Sequence, residues 1–273
     1  MRDVLVVLYQ SRDDALALAT SISETLSTEG INVRITLADV GADLETPSKD
    51  TLVVSLGGDG TFLRAARLAH GAGAEVLGVN LGRVGFLLSV PPGTLLQEIR
   101  RALRRELPIE TRMGLIVTSD DGALREFCLN EVVVERSHAG RMVRLTCSIE
   151  GDEFLTYSAD GVLVSTATGS TGYNFSAGGP VISPDLNVMV VTPIAPHFTI
   201  DRSIVVGAHQ TIRLETVDRD GAVVCDGTVV GTLGTGEGVT VSAAPEGVLV
   251  AVSEQLGLGA RLRHSLREGH AEG

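Results

Sequence analysis

Up to about residue 107 the chain alternates between two textures, and that alternation limits its fold more than any other feature. "VLVVLY" (4–9) is an apolar run suited to a buried strand, and "DDALALATSISETLSTEG" (13–30) has a helical apolar rhythm that stops at Gly30. "INVRITLA" (31–38) alternates as a strand does. "TLVVSLG" (51–57), "GTFLRAARLAHGAG" (60–73) and "EVLGVNLG" (75–82) repeat the strand, helix, strand order. Strands separated by helices in this way predict parallel strands joined by right-handed crossovers, an open α/β sheet. Residues 94–106, "TLLQEIRRALRRE", form an amphipathic helix with Thr94 as its N-cap and arginines near its end.

After Pro108 the texture changes to short β-rich runs, from "MGLIVTS" and "EFCLNEVVVER" through "AVVCDGT" to "GVLVAV", separated by turn residues such as Asp120-Asp121-Gly122 and Asp220-Gly221. This predicts an α/β domain over 1–107, an antiparallel, sandwich-like β domain over 108–251, and a cleft between them. The tail 252–273 ends in "RLRHSLREGHAEG", read as a short basic helix that either packs back on the first domain or is solvated.

With 44% hydrophobic residues, 3% aromatics and no tryptophan, aliphatic side chains must fill the core. A net charge of −12 argues against sequence-independent nucleic-acid binding, which needs a basic surface, yet leaves room for an anionic small ligand met locally by arginines and backbone N–H groups. Cys128, Cys147 and Cys225 form no CxxC pair, so reduced buried thiols are expected rather than disulfides or zinc. No stretch approaches the roughly 18–20 apolar residues of a membrane span. The N-terminal apolar run ends in charge too early for a signal peptide, so the reading is a cytoplasmic protein with no membrane partner.

"LGGDGTF" (56–62) follows a strand and opens a helix. Glycines there can take φ > 0 and let backbone N–H groups approach a phosphate at the helix's positive end. Asp59 would repel such an anion unless it holds a Mg²⁺ bridging phosphates or accepts a proton from an attacking hydroxyl. The alternative is a βα turn with a capping aspartate. Neither a GxxxxGK[ST] loop nor a strand-borne GxGxxG is present.

Two further stretches point toward a ligand. Asn130 and Glu131 stand at the head of the apolar run "LNEVVV", as a turn or as a pair aimed at a ligand. "ADGVLVSTATGSTGYNFSAGGPVISP" (159–184) begins with Asp160-Gly161 and then gathers Ser165, Thr166, Thr168, Ser170, Thr171, Tyr173, Asn174 and Ser176 around glycines. So many short donors suit a polyhydroxylated or phosphorylated ligand, against the plainer reading of a Ser/Thr-rich loop.

In order and spacing, "GGDGTFLRAA", "GVNLGRVGFL", "LNEVVVER", the 160–184 stretch, "TPIAPH" with Arg202, and "CDGT" (225–228) closely resemble the NAD kinase family. The resemblance covers about residues 50–230 and is carried most specifically by the TGST–Tyr–SAGGP stretch and the Asn-Glu pair. It implies a Rossmann-like, phosphofructokinase-like parallel sheet followed by an all-β, sandwich-like domain. It also implies transfer of the γ-phosphoryl group of ATP, or of polyphosphate, to the 2′-hydroxyl of the adenosine ribose of NAD. By the same resemblance Asp59 is the base, Gly57, Gly58 and Gly60 shape the phosphate turn, and Arg64 meets a phosphate. Asn130 and Glu131 contact ribose and adenine edges, Asp160 lies on the nicotinamide side, and Thr168, Thr171, Gly172, Tyr173, Asn174 and Ser176 line the adenosine side. Ala195 and Asp226 match positions that approach the dinucleotide, partly from a neighbouring subunit. Mg²⁺ is carried mainly by the ATP phosphates, with Asp59 the one side chain open to it and no other metal ligand assigned. A homodimer or homotetramer follows.

The sequence departs from the family at Ala167, where proline is common, at Gly172, where alanine is common, and at Thr228, where a longer polar residue is frequent. Two rival readings stand beside the kinase: another GGDGT kinase acting on a lipid or sugar, and an NAD(H)-binding regulator without turnover.

Overall fold

The computed structural model describes residues 3–9, 13–38, 46–81, 87–88, 90–138, 140–197, 200–253 and 259. Residues 82–86 of "GVNLGRVGFL" and the basic segment expected over 261–273 lie outside them. The chain divides into two compact units, Met1–Thr111 with Val248–Gly273, and Arg112–Gly247.

The first unit runs β1 (Val4–Leu8), α1 (Asp13–Thr28), β2 (Val33–Leu37), β3 (Leu52–Gly57), α2 (Asp59–Ala72), β4 (Glu75–Asn80), α3 (Leu95–Leu103) and β5 (Ile109–Arg112). β2, β1, β3 and β4 pair in parallel in that order. Every residue of β1 and β3 is buried, as expected for parallel strands covered by helices on both faces. Ala15, Ala19, Ile22 and Leu26 of α1 recur at helical spacing and share one core with Leu95, Ile99 and Ala102 of α3 and with Val4, Val6, Leu8, Val54 and Leu56 of the sheet. α2 covers the opposite face through Phe62 and small alanines, where a Cβ on Gly78 of β4 would lie 2.9 Å from the Phe62 ring. The helix ends at Gly73, whose φ of 64° lets its N–H reach the carbonyls of Ala69 and His70.

Thr94 occupies the N-cap position of α3 but does not cap it. A 3-10 turn over Pro92–Thr94 precedes the helix, and the Thr94 hydroxyl donates back to the Pro91 carbonyl at 3.3 Å. The arginines near the end of α3 are paired: Arg100 with Glu29, and Arg101 with Glu98 one turn earlier.

The second unit contains β6 (Leu115–Ser119), β7 (Arg125–Cys128), β8 (Glu131–Arg136), β9 (Val143–Ile149), β10 (Asp152–Ala159), β11 (Gly161–Thr166), the short helix α4 (Tyr173–Ser176), β12 (Val188–Ile194), β13 (Ile204–Gly207), β14 (Ile212–Thr216), β15 (Gly221–Cys225), β16 (Thr228–Leu233) and β17 (Gly238–Ala243). They form two six-stranded antiparallel sheets, ordered β10-β9-β14-β17-β6-β7 and β13-β12-β11-β8-β15-β16. One core joins the inner faces, with Leu145, Tyr157, Leu214 and Val241 from the first sheet and Val132, Val134, Val162, Val164 and Val191 from the second. The fold is thus an α/β unit followed by an all-β sandwich.

The run "GVLVAV" departs from its expected place. Val248–Ala251, β18, pairs in parallel with β4 as a fifth parallel strand of the first unit's sheet, with β5 beyond it. A short, wholly apolar run reads the same in a sandwich core and in a parallel sheet, so only the pairing partner distinguishes them.

Candidate active site

In the first unit the chain leaves β1 through α1 to β2 on one side and returns to β3 on the other. The carboxyl ends of β1 and β3 therefore flank a switch point in strand order, where open α/β sheets place ligands. Tyr9 follows β1, and Gly57, Gly58 and Asp59 follow β3. Arg64 on α2 lays its guanidinium over the Tyr9 ring, 3.7 Å from the centroid, and donates to the Gly60 carbonyl at 3.0 Å.

No glycine of the turn is needed for φ > 0, and only Gly57 is needed for room. None of Gly57, Gly58 and Gly60 has a positive φ. A Cβ at Gly57 would lie 2.3 Å from Thr61 Oγ1, so the first turn of α2 excludes any side chain there. At Gly58 a Cβ would meet nothing within 4 Å, and at Gly60 only the tip of Arg64 at 3.8 Å. The protein's own packing does not demand glycine at these two positions. Gly58 is the N-cap of α2 and Asp59 its first residue, so Asp59 is not a cap. Its Oδ1 is shielded from solvent at the positive end of the helix.

In the second unit, alternation along β8 sends Val132 and Val134 into the sandwich and Glu131 to the opposite face. Glu131 and Asn130 are both more than nine-tenths buried. Asn130 Oδ1 and Glu131 Oε2 are buried acceptors that receive no hydrogen bond from the described residues. Burial pushes the Glu131 carboxyl up to about 8, helped by the nearby Asp226 charge and opposed by a hydrogen bond from the Tyr173 N–H. Both side chains lie against the turn Thr168–Gly172: a Cβ at Gly169 would sit 2.2 Å from the Asn130 carbonyl, which makes glycine obligatory there. At Gly172 a Cβ would lie 3.3 Å from both Glu131 Oε2 and the Gly169 carbonyl oxygen and 3.4 Å from Asn130 Nδ2, tight against side chains and backbone alike.

The hydroxyl-rich stretch works largely on itself. Thr166 donates to the Leu129 carbonyl at 2.7 Å and accepts from Gly169 N–H at 2.9 Å. Ser170 donates to the Ala167 carbonyl and accepts from Ile182 N–H. Asn174 is fully buried, donating to the carbonyls of Ser170 and Pro180 and accepting from the Thr192 hydroxyl at 2.7 Å. Asn174 therefore braces the loop. Thr168 is buried in the 3-10 turn, Thr171 is half-buried, and Tyr173 and Ser176 are exposed on α4.

Burial raises the Tyr173 phenol first, and the charges of Glu135, Asp160 and Glu131 add to it, with Arg136 opposing. Asp160 is paired with Arg136 Nη1 at 2.7 Å, and its N–H donates to the Ile194 carbonyl at 2.9 Å. That bond brings it beside Ala195, an exposed residue held at φ 46°. Asp226 and Gly227 both have positive φ in the two-residue turn between the paired Cys225 and Thr228. Tyr9 and Arg136 were not singled out from sequence. The position of Tyr9 at the carboxyl end of a parallel strand was the available signal for it, whereas the pairing of Arg136 with Asp160 spans 24 residues and left none.

The ATP-NAD kinase N-terminal domain model matches residues 7–107, and the ATP-NAD kinase C-terminal domain model matches residues 129–252. An NAD kinase of Heliobacterium modesticaldum is 39% identical over 80% of this chain and 81% of its own length. One of Thermobifida fusca is 35% identical over 93% of this chain and 86% of its own. The crystal structure of yeast NADH kinase complexed with NADH superposes with a TM-score of 0.86 at 20% identity, covering 100% of this chain and 89% of that one, a likeness of fold. The NAD kinase of Archaeoglobus fulgidus in complex with ATP superposes with a TM-score of 0.74 at 26% identity, covering 99% of this chain and 100% of that one. With both domains matched in order and such relatives aligned along most of their length, this chain belongs to the NAD kinase family.

Proposed function

We propose that this protein is an NAD kinase that transfers the γ-phosphoryl group of ATP to the 2′-hydroxyl of the adenosine ribose of NAD, giving NADP. The observation that carries the reading to the residues is the pair of buried acceptors, Asn130 Oδ1 and Glu131 Oε2, which receive no donor from the described residues. Buried acceptors are rarely left without donors, and a ribose diol supplies two O–H groups side by side. The NADH and ATP bound by the solved relatives named above are of the same ligand class.

Asp59 is assigned as the base. A ribose hydroxyl is a weak nucleophile at neutral pH, and a positioned carboxylate that takes its proton contributes ~10²–10⁴-fold. The open space at Gly58 and Gly60 fits close approach of phosphates to the α2 N-terminus, with Arg64, steadied on Tyr9, as a cation for them. Asp160, Tyr173 and Ala195 are assigned to the rest of the dinucleotide, and Thr168, Thr171, Gly172 and Ser176 to its adenosine side.

Among the described residues no three His, Cys, Asp or Glu side chains gather as a metal site. A site with one carboxylate, Asp59, fits Mg²⁺, which usually keeps water and phosphate oxygens and takes only one or two protein carboxylates. When bound, Mg²⁺ supplies charge neutralisation on the phosphates. Among the described residues no helix is long and apolar enough to cross a membrane. Cytoplasmic residence and a homodimer or homotetramer complete the proposal.

The test is NADP formation from ATP, Mg²⁺ and NAD, repeated with polyphosphate and with NADH. Asp59→Asn should keep the circular dichroism and melting of the parent and lose about 10²–10⁴ in turnover. Near-parental turnover of that variant removes Asp59 from the mechanism. NAD binding without turnover by the parent protein would support the regulator instead.

A further inference from the structure

Asp226 sits in the β15–β16 hairpin turn, far along the chain from β8, yet its carboxylate faces the residues that open that strand. Oδ2 accepts from Leu129 N–H at 2.8 Å, while Oδ1 accepts from Asn130 N–H at 2.8 Å and Glu131 N–H at 3.2 Å. The Asp226 N–H returns a bond to the Glu131 carbonyl at 3.1 Å. Three consecutive N–H groups converging on one carboxylate form a charge-assisted clamp on the segment that carries both donorless acceptors. The left-handed turn is what aims it, since φ is 47° at Asp226 and 76° at Gly227.

We propose that Asp226 is a positioning residue: it holds the backbone of Leu129–Glu131 so that the Asn130 and Glu131 side chains stay aimed at the nucleoside, and it acts on the ligand only through them. For its ligand the inference rests on the NAD kinase reading; the clamp itself does not. Replacement has a second effect, because the Asp226 charge faces the Glu131 carboxyl. Among the described residues Tyr173 also bears on it through its N–H and its phenol, and the charges of Glu135, Asp160 and Arg136 act on that phenol in turn.

Asp226→Asn and Asp226→Gly both tolerate positive φ, so the hairpin survives while the clamp is weakened or removed. The first measurement is amide hydrogen exchange, where Leu129, Asn130 and Glu131 should exchange at least about tenfold faster in both variants. Unchanged exchange overturns the clamp whether or not the protein is a kinase. The second is kinetics in variants of a parent shown to make NADP: KM for NAD should rise about 10- to 100-fold while kcat stays within about threefold. The midpoint of the KM–pH profile should move to lower pH in Asp226→Asn, because Glu131 ionises more easily without a like charge beside it. In an Asn130→Ala/Glu131→Ala background, Asp226→Gly should change KM by less than about twofold. A full multiplicative loss in that background, with an unmoved pH midpoint in the single variant, would mean that Asp226 touches the ligand directly and would overturn the proposal. A parent that makes no NADP refutes the kinase reading and leaves the exchange experiment to decide the clamp.

Discussion

Glu131→Gln should make the protein more stable while damaging its binding of NAD. The Glu131 side chain is buried, and its carboxyl is pushed up to about 8 from an ordinary value of 4.5, chiefly by burial and then by the Asp226 charge. Between those two pH values the folded protein keeps a proton that the unfolded chain has released. Stability therefore falls as pH rises from 4.5 and levels off above about 8, where both states are ionised. The slope is about 1.4 kcal/mol per pH unit, hence a loss of roughly 3 kcal/mol by pH 7 and about 5 kcal/mol at the plateau. Glutamine has nearly the same shape and cannot ionise, so the variant should exceed the parent by roughly 3 kcal/mol at pH 7. Urea unfolding of both proteins from about pH 5 to about pH 9 measures the gap, which should widen with pH and then flatten. A gap that stays constant across that range refutes the reasoning, because it would mean that Glu131 titrates alike in the folded and unfolded chains.

The β3–α2 turn and the sandwich core offer two simpler tests. Gly57→Ala drives a Cβ against Thr61 Oγ1 and should destabilise by about 1–3 kcal/mol in thermal melting, whereas Gly58→Ala meets open space and should lose only the N-cap preference for glycine over alanine, less than about 1 kcal/mol. Any loss of NADP formation in Gly58→Ala then reports a ligand that approaches the backbone there. Tyr157→Phe removes a fully buried hydroxyl that makes no hydrogen bond, so it should leave stability unchanged or raise it by about 1 kcal/mol in denaturant unfolding; a loss above about 1 kcal/mol would show that the hydroxyl has a partner such as buried water.

Much of the fold was readable because the signals were local. The apolar run at 4–8 and the run at 52–57, apolar apart from Ser55 and Gly57, are each followed by a helical period and so read as parallel strands with crossovers. The alternation in "TIRLETV" matched a strand with one face in a sandwich core, as β14 proves to be. The site was legible as a set of motifs, but what each residue does within the chain was not. Asn174 looked like a ligand contact and is a brace, because its partners Pro180 and Thr192 are fixed by how the loop folds back.

The amino-acid sequence by itself determined the two textures, the strand–glycine–aspartate–helix turn and the family to which the chain belongs. Each depends on neighbours a few residues apart, or on an order of motifs that survives without coordinates. The tertiary structure alone decided that Val248–Ala251 joins the first sheet beside β4, since strand partners are chosen by long-range pairing rather than by composition. It also decided that Thr61 is the reason for Gly57, and that Asp226 grips Asn130 across 96 residues of chain. Steric exclusion and hydrogen bonding act over a few ångströms, so such effects exist only once the fold has brought the partners together.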